Sequence, residues 1–246
     1  MKFALVDHQK SLPQPKLRGV CPHCGEEMIS KCGRTKVWHW AHKTREICDP
    51  WWENETEWHR SWKNEFPEEW QEISHIDPAT SEKHIADVKA ANGLVVEFQN
   101  SPMSQEEMVS REEFYGDMIW IVNGLRGDLD VNYFQMGLGR NPIQRNPLAY
   151  PLEWWGRSRL LHNWSMSSKR VFIDFGDSVS IGPAVVWRLV YFDHQKKFGA
   201  VGPYPKHMLV KAILEGGEIG VTYLPDEKND AQSVGEVRDA ISRERN

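Results

Sequence analysis

The chain of 246 residues is 40% hydrophobic and contains twelve tryptophans, a composition that excludes an intrinsically disordered protein and allows a substantial core. Its net charge of −5 is unevenly distributed, because residues 51–117 carry −11 whereas residues 1–50 carry +4. This balance argues against a protein that coats nucleic acid through a basic surface, but it is compatible with an enzyme whose metal ions contact phosphates.

The sequence also argues against membrane association. No run approaches the roughly 18 apolar residues that a membrane span requires. The apolar residues 1–6 are followed by polar sequence, so we expect no signal peptide. We therefore expect a soluble, cytoplasmic protein. Its first 20 residues predict a short strand followed by a linker interrupted by prolines.

All four cysteines lie between positions 21 and 48, with two histidines among them. In a cytoplasmic chain such clustering favours metal binding over disulfide formation, although unpaired buried thiols are the alternative. Cys21-Pro-His-Cys24-Gly has the spacing of a knuckle, a tight turn that presents two thiolates to one tetrahedral Zn²⁺. The candidates for the two remaining ligand positions are Cys32, His39, His42 and Cys48.

We favour His42 and Cys48 for these positions. Trp38 and Trp40 are expected to be the packed residues of an alternating strand, and Cys32 lies in a glycine-rich turn. A site with four protein ligands leaves no open coordination position, so the zinc would be structural.

Residues 51–66 predict an amphipathic helix that ends before Pro67. The buried stripe of this helix is expected to contain Trp51, Glu55, Trp58 and Trp62. Burying an unpaired carboxylate is costly, and Glu55 would be stabilised by a metal ion or, alternatively, by an ion pair with Lys63 or Arg60 at the rim. His59 and Lys63 follow on the same side of the helix. Glu57 is expected to face solvent.

Residues 84–101 predict a β-hairpin, in which two apolar runs flank Ala91-Asn92-Gly93. A two-residue turn at Asn92-Gly93 would place Val88 opposite Glu97. A three-residue loop, with Gly93 in the left-handed conformation, would instead place Asp87 opposite Glu97.

The three-residue loop puts Asp87, Glu97 and Gln99 on one face of the hairpin. The opposite, core-facing side then contains Val88, Leu94, Val96 and Phe98. Two carboxylates directly across from one another repel unless a cation lies between them. Because hard oxygen ligands favour Mg²⁺ or Mn²⁺, the hairpin predicts a divalent-metal site, with an acidic solvated face as the alternative.

A strand at residues 71–76 precedes the hairpin, and a helix at residues 104–115 follows it, with Ser104 as N-cap and Glu107 at the capping-box position. Residues 118–122 predict a buried strand. The order helix, three strands, helix, strand is typical of an α/β core with a mixed sheet between helices.

Residues 126–246 predict an α+β extension of unknown role. We expect its strands at 171–175, 185–192 and 197–201, its helices at 153–161 and 203–214, and a polar tail at 226–246. The tryptophans that could form either a base-stacking platform or a core are Trp154, Trp155, Trp164 and Trp187.

Several motifs between residues 18 and 125 together resemble the competence protein CoiA-like family. They are Cys21-Pro-x-Cys24, His39-Trp-Ala-His42, Cys48, Glu55-Thr56-x-x-His59-x-x-x-Lys63, Ala86-Asp87, Glu97-Phe98-Gln99-x-Ser101, Arg111-x-x-x-Tyr115 and Ile119-Trp120-Ile121. That family looks like a branch of the PD-(D/E)xK nucleases joined to an N-terminal zinc-binding segment. The resemblance implies a zinc-ribbon-like segment at residues 1–50, a restriction-endonuclease-like nuclease core with a mixed sheet at 51–125 and the extension at 126–246.

The resemblance implies catalytic roles for Glu55, Asp87, Glu97 and Gln99. Asp87 and Glu97 would bind the catalytic metal, and Glu55 would be the acidic group carried by the helix. Gln99 stands where the wider superfamily has a lysine that orients or polarises the attacking water, and it would hydrogen-bond the nucleophile. A glutamine is what the CoiA-like branch itself shows.

Because Gln99 lacks the positive charge of that lysine, Lys63 or Lys89 could supply it. His59 and Lys63 are candidate substrate-binding residues, and so are Arg111 and Tyr115, which lie one helical turn apart and would contact a flanking phosphate. Packing is the alternative role for Tyr115.

The expected function is phosphodiester hydrolysis, with DNA as the expected substrate, Mg²⁺ or Mn²⁺ as catalytic cofactor and Zn²⁺ as structural cofactor. The expected setting is DNA processing, uptake and recombination, or defence, with protein partners in these processes. The alternatives are a non-catalytic DNA-processing scaffold and a zinc-ribbon module that recruits partners.

Overall fold

A computed structural model of the chain describes residues 1–44, 48–53, 55–145, 147–153, 158–179, 184–193 and 195–219. The chain divides into two compact units, residues 1–101 and residues 102–246. The segment boundaries expected at residues 50 and 125 do not coincide with this division and stay predictions. None of the helices in the described ranges is long and apolar enough to span a membrane.

The described residues of the first unit form two groups of strands and one α-helix. Its elements are β1 (Ala4–Val6), β2 (Gln9–Ser11), β3 (Arg18–Val20), β4 (Glu27–Lys31), β5 (His39–His42), α1 (Glu57–Lys63), β6 (Gln71–Ile76), β7 (Lys83–Lys89) and β8 (Val95–Gln99).

The N-terminal sheet has the strand order β2-β1-β3-β4-β5 and is antiparallel. Trp40 on β5 is buried and packs in a small core with Met1, Cys21 and Met28. Trp38, which we expected to pack as well, precedes β5 and is 44% exposed. The alternating strand is therefore shorter than predicted.

Helix α1 begins at Glu57, later than the tryptophan spacing predicts. Thr56 is its N-cap, and the Thr56 hydroxyl accepts a hydrogen bond from the backbone amide of His59 at 3.3 Å. Threonine at the N-cap and an acidic residue in the first turn both favour a start at this point. Trp51 and Glu55 precede the helix, so the predicted helical stripe is wrong at these two positions.

The hairpin has the register of the three-residue loop. Val88 on β7 lies opposite Val96 on β8, and Gly93 has a φ of +93°. A positive φ is easily adopted by glycine and closes the loop without strain. The register that places Asp87 opposite Glu97 is therefore confirmed. In the same unit β6 pairs with β7 in antiparallel fashion.

The second unit is a mixed α/β structure. Its elements are α2 (Gln105–Tyr115), β9 (Met118–Asn123), α3 (Asp130–Gly137), β10 (Gln144–Arg145), β11 (Leu148–Glu153), α4 (Arg159–Trp164), β12 (Arg170–Asp174), β13 (Val185–Asp193), β14 (Phe198–Pro205) and α5 (Lys206–Glu215). Its strands follow the order β10-β11-β14-β13-β12-β9, in which β9 and β12 are parallel and the other pairs are antiparallel. The α/β class is confirmed; the PD-(D/E)xK fold stays a prediction.

Several elements of this unit match the sequence analysis. Helix α2 has the predicted N-cap, because the Ser104 hydroxyl accepts from the backbone amide of Glu107 at 3.1 Å. The helix predicted at residues 153–161 is observed from Arg159, after its N-cap Ser158, whereas Glu153 belongs to β11. Residues 154–157 of this prediction lie outside the described residues. Helix α3 and strands β10 and β11 were not predicted.

The tryptophans of the second unit favour the core interpretation. Trp187 is fully buried and Trp164 is 7% exposed. Trp154, Trp155 and the tail at 226–246 lie outside the described residues.

Candidate functional site

The structure brings together the four side chains that the sequence favours as zinc ligands. The ligand atoms of Cys21, Cys24, His42 and Cys48 all lie within 4.8 Å of one another. The Cys24 Sγ atom is 3.3 Å from His42 Nε2, and the Sγ atoms of Cys21 and Cys48 are 4.0 Å apart. We refer to these four residues as the Cys₃His cluster.

Local backbone geometry explains how the cluster forms. After the Cys21–Cys24 turn, the backbone amide of Gly25 donates to the carbonyl of Cys21 at 3.0 Å, and Gly25 has a φ of +81°. Pairing of β4 with β5 places His42 opposite Met28. The turn and the end of β5 therefore lie side by side.

The cluster is electrostatically suited to a cation. Burial raises the pKa of the Cys21 thiol, and burial together with the neighbouring thiols raises the pKa of Cys48 to about 12. Burial lowers the pKa of His42, which favours the neutral imidazole that binds metals. A bound divalent cation would stabilise the thiolates that burial disfavours. Three sulfur ligands and one nitrogen ligand could thus hold a metal such as zinc.

The alternative ligands are not part of the cluster. His39 Nδ1 is 2.8 Å from the carbonyl oxygen of Val37, and Cys32 follows β4. Among the described residues, no other group of three or more Cys, His, Asp or Glu side chains has its ligand atoms this close together.

Asp49 connects the cluster to the hairpin within the first unit. It follows Cys48 and is buried, with Oδ1 at 2.9 Å from His84 Nδ1. Its other oxygen accepts from the backbone amide of Ile85 at 2.6 Å. Both partners lie on β7, the strand that carries Asp87. This link was not found from the sequence, because its partners are more than thirty residues apart.

Backbone hydrogen bonds to their carboxylates connect Asp87 and Glu97 across the hairpin. The backbone amide of Asp87 donates to Glu97 Oε1 at 3.0 Å, and the backbone amide of Phe98 donates to Asp87 Oδ2 at 3.0 Å. Each carboxylate therefore accepts from the backbone of the opposite strand. Glu97 is 4% exposed and the Asp87 side chain is 23% exposed, so this pair of hard oxygen donors is buried on one side and partly accessible on the other.

Lys63 extends from α1 into this acidic region. Its Nζ atom lies 2.8 Å from Asp87 Oδ1, 3.3 Å from Glu72 Oε1 and 3.9 Å from Glu55 Oε1. Burial by itself lowers the pKa of Lys63, but the three carboxylates outweigh it and raise the pKa above its ordinary value. Lys63 is therefore a buried ammonium group that is charged at neutral pH.

Glu72 is an acidic residue that the sequence analysis missed. It has a φ of +53° within β6, and its carboxylate accepts from the backbone amides of Lys2 at 2.7 Å and Phe3 at 3.2 Å. Burial opposes its charge, but Lys63, the N-terminal ammonium group and these amides lower the pKa of Glu72 to about 2. Glu72 is thus ionised and contacts Lys63 from β6, the strand that pairs with β7.

Glu55 forms ion pairs with both of the side chains considered in the sequence analysis. Arg60 donates to Oε1 through Nε at 3.0 Å and to Oε2 through Nη2 at 2.5 Å, while Lys63 lies near Oε1. The Glu55 side chain is 3% exposed, so the pair is buried and not at a rim. The predicted contact of Glu55 with a metal stays a prediction.

Gln99 is anchored by two acceptors. Its Nε2 atom donates to Glu53 Oε1 and, at 2.9 Å, to the carbonyl oxygen of Ser101. The second Glu53 oxygen accepts from the backbone amide of Ser101 at 3.3 Å and lies 3.6 Å from His59 Nε2. Glu53, like Glu72, was not singled out from the sequence, because its partner Gln99 lies 46 residues away.

Both ring nitrogens of His59 contact neighbouring protein atoms. Its Nε2 atom is 2.8 Å from the carbonyl oxygen of Phe98 and must therefore carry the proton, and its Nδ1 atom is 3.0 Å from the Thr56 hydroxyl. At 3% exposure, the ring connects α1 to β8. The predicted substrate contact of His59 stays a prediction.

The remaining candidates lie in other surroundings. The Lys89 Nζ atom is 3.2 Å from His75 Nδ1, so Lys63, and not Lys89, is the lysine beside Asp87. In the second unit, Arg111 is buried and pairs with Glu107 at 2.5 Å, and the buried ring of Tyr115 packs on Phe114. Packing, the alternative considered for Tyr115, agrees with this position.

No curated protein and no solved structure matches the chain. One family model does match: residues 8–50 match the model described as competence protein CoiA, N-terminal domain. The matched segment contains all four residues of the Cys₃His cluster. The N-terminal segment is therefore similar to the N-terminal domain of competence protein CoiA.

Proposed function

We propose that the chain is a nuclease that requires Mg²⁺ or Mn²⁺ and hydrolyses phosphodiester bonds of DNA. The observation that carries this proposal is the pair of carboxylates, Asp87 and Glu97, across one hairpin, with the Lys63 ammonium 2.8 Å from Asp87. The CoiA match supports a competence-related role, in which DNA is processed during uptake or recombination. Defence against foreign DNA is compatible with the same chemistry.

The donor atoms suit the proposed metal. Asp87 and Glu97 would hold Mg²⁺ or Mn²⁺, because both ions prefer carboxylate oxygen. When bound, such an ion acts as a Lewis acid on the scissile phosphate and lowers the pKa of a coordinated water. Lys63 would stabilise negative charge that develops on the phosphate. Glu55 would keep Arg60 and Lys63 in place.

The Cys₃His cluster would hold zinc with a structural role in this proposal. Four protein ligands leave no position for a substrate, and the neighbouring Asp49 contacts His84 and Ile85 on β7. Zinc binding would therefore stabilise the strand that carries Asp87.

A non-catalytic DNA-processing scaffold is the second candidate function. The position of Lys63 favours this function. Its ammonium group lies among Asp87, Glu72 and Glu55 and already neutralises part of the negative charge that would attract a metal. A scaffold would bind DNA without cleaving it.

A cleavage assay separates these functions. The purified full chain is incubated with linear and circular DNA, single- and double-stranded, and with RNA, in Mg²⁺, Mn²⁺ or EDTA. We expect cleavage of DNA in either metal and none in EDTA. Asp87→Asn and Glu97→Gln should each reduce the rate by on the order of a hundredfold or more, as loss of a charge-stabilising group does in other enzymes.

The matched control is Glu57→Gln, which removes a carboxylate from the exposed side of the same acidic segment. It should cleave like the parent. Cleavage by Asp87→Asn at the parental rate, or cleavage that persists in EDTA, would contradict the nuclease proposal. DNA binding without cleavage under every condition would favour the scaffold.

A further inference from the structure

The Gln99 side chain has a fixed orientation that follows from its hydrogen bonds. A glutamine amide has two N–H donors on Nε2 and one acceptor atom, Oε1. Both contacts of Nε2, the Glu53 carboxylate and the Ser101 carbonyl, are acceptors only. The nitrogen must therefore face them, and an exchange of the two amide ends would put an oxygen against two oxygens.

This orientation determines which polar atom of Gln99 is left to bind a metal ion or another group. With both N–H groups engaged, its remaining polar atom is Oε1, which has no hydrogen-bond partner among the described residues. Gln99 is 3% exposed and lies two residues after Glu97 on β8, so the two side chains project from the same face of the strand. On the face of β8 that carries Glu97, Gln99 therefore presents an acceptor and no donor.

We propose that Glu53 is a positioning residue that orients Gln99, so that Gln99 Oε1 is a third oxygen ligand for the divalent cation bound by Asp87 and Glu97. The inference rests on the proposed function for the presence of that cation. An amide oxygen is a suitable hard ligand for Mg²⁺ or Mn²⁺. In this arrangement Gln99 supplies an oxygen atom to the metal, and Lys63 supplies the positive charge that an amide lacks.

The role of Glu53 is tested first without any metal. In protein labelled with ¹⁵N on glutamine side chains, the Gln99 NH₂ signals are assigned by their loss in Gln99→Met. In the parent we expect these protons to exchange slowly with water, because both are hydrogen-bonded and exchange only after local opening. In Glu53→Ala one of these hydrogen bonds is lost, so exchange should be at least about tenfold faster. Glu53→Gln keeps an acceptor oxygen and should retain most of the protection. Equal exchange in the parent and in Glu53→Ala would overturn the positioning role.

The role of Gln99 is tested by calorimetric titration with Mn²⁺ in zinc-loaded protein. Gln99→Met preserves the length of the side chain and removes the oxygen, so we expect the Kd for Mn²⁺ to rise by roughly tenfold or more. Glu53→Ala should raise the Kd in the same direction, with partial rescue in Glu53→Gln. Glu57→Gln is the control and should leave the Kd unchanged.

The outcomes distinguish this inference from the proposed function. If Asp87→Asn abolishes Mn²⁺ binding but Gln99→Met leaves the Kd unchanged, Gln99 is not a ligand and the inference is overturned while the nuclease proposal stands. If the parent shows no Mn²⁺ binding that depends on Asp87, both the metal site and the ligand role of Gln99 are wrong.

Discussion

Replacing Lys63 by methionine tests the charge balance of the site. Methionine retains the aliphatic packing of the side chain but removes the ammonium group that contacts Asp87, Glu72 and Glu55. Removing one member of a buried ion pair typically costs about 3–5 kcal/mol, since the partner remains buried and unpaired. At roughly 2–4 °C per kcal/mol for a chain of this size, the melting temperature should fall by on the order of 10 °C.

The pH dependence gives this prediction a specific signature. In the parent the pKa of Glu72 is lowered from 4.5 to about 2. A carboxyl group with a lowered pKa stabilises the fold above its unfolded pKa, by about 3 kcal/mol here, and this contribution is lost as the pH falls towards 2. Without Lys63, burial would disfavour the charged form of Glu72. The difference in stability between parent and Lys63→Met should therefore be largest at pH 7 and shrink towards pH 3.

The measurement is chemical denaturation of both proteins across this pH range, at equal zinc content. Lys43→Met is the matched control, because Lys43 forms an exposed ion pair with Glu27. Solvent screens such exposed pairs, so the control should differ little from the parent at any pH. A loss below about 1 kcal/mol in Lys63→Met, or a loss that is the same at pH 7 and pH 3, would refute this role for Lys63.

Three further predictions concern the zinc cluster and the two cores. The parent should copurify with about one equivalent of zinc, and Cys24→Ser should lose it and unfold more easily; elemental analysis that finds no zinc in parent purified without chelator contradicts this. Phe98→Ala should lower the free energy of unfolding by about 3–5 kcal/mol, because its ring stacks on Trp62 at 5.9 Å; denaturation that shows a cost near zero would contradict this packing. Glu112→Gln should lose about 1–3 kcal/mol, because Oε2 accepts from both the amide and the hydroxyl of Ser168; unchanged denaturation would argue against that network.

Features with local causes could be predicted from the sequence. The hairpin register follows from Gly93, since one positive-φ residue decides between the two loops and thereby places Asp87 opposite Glu97. Two ligands of the Cys₃His cluster follow from the short knuckle between Cys21 and Cys24. The N-cap at Ser104 is equally local, because its acceptor and donor are three residues apart.

Features that depend on distant partners could not be predicted. Glu72 gains its role from backbone amides near residue 2, and Glu53 gains its role from Gln99, which lies 46 residues away. The start of α1 was misplaced because the tryptophan spacing continues through Trp51, before the helix begins. Thr56 carries the correct signal for the helix start.

The measurement that tests the metal site most directly is anomalous X-ray scattering from crystals of the full chain soaked in Mn²⁺. We predict an anomalous peak at about 2.1 Å from carboxylate oxygens of both Asp87 and Glu97, the distance expected for a small hard cation. The peak should disappear in crystals of Asp87→Asn, while the signal of zinc at the Cys₃His cluster should persist. An intact hairpin without Mn²⁺ between Asp87 and Glu97 at saturating concentration would contradict the assignment of this hairpin as a divalent-metal site.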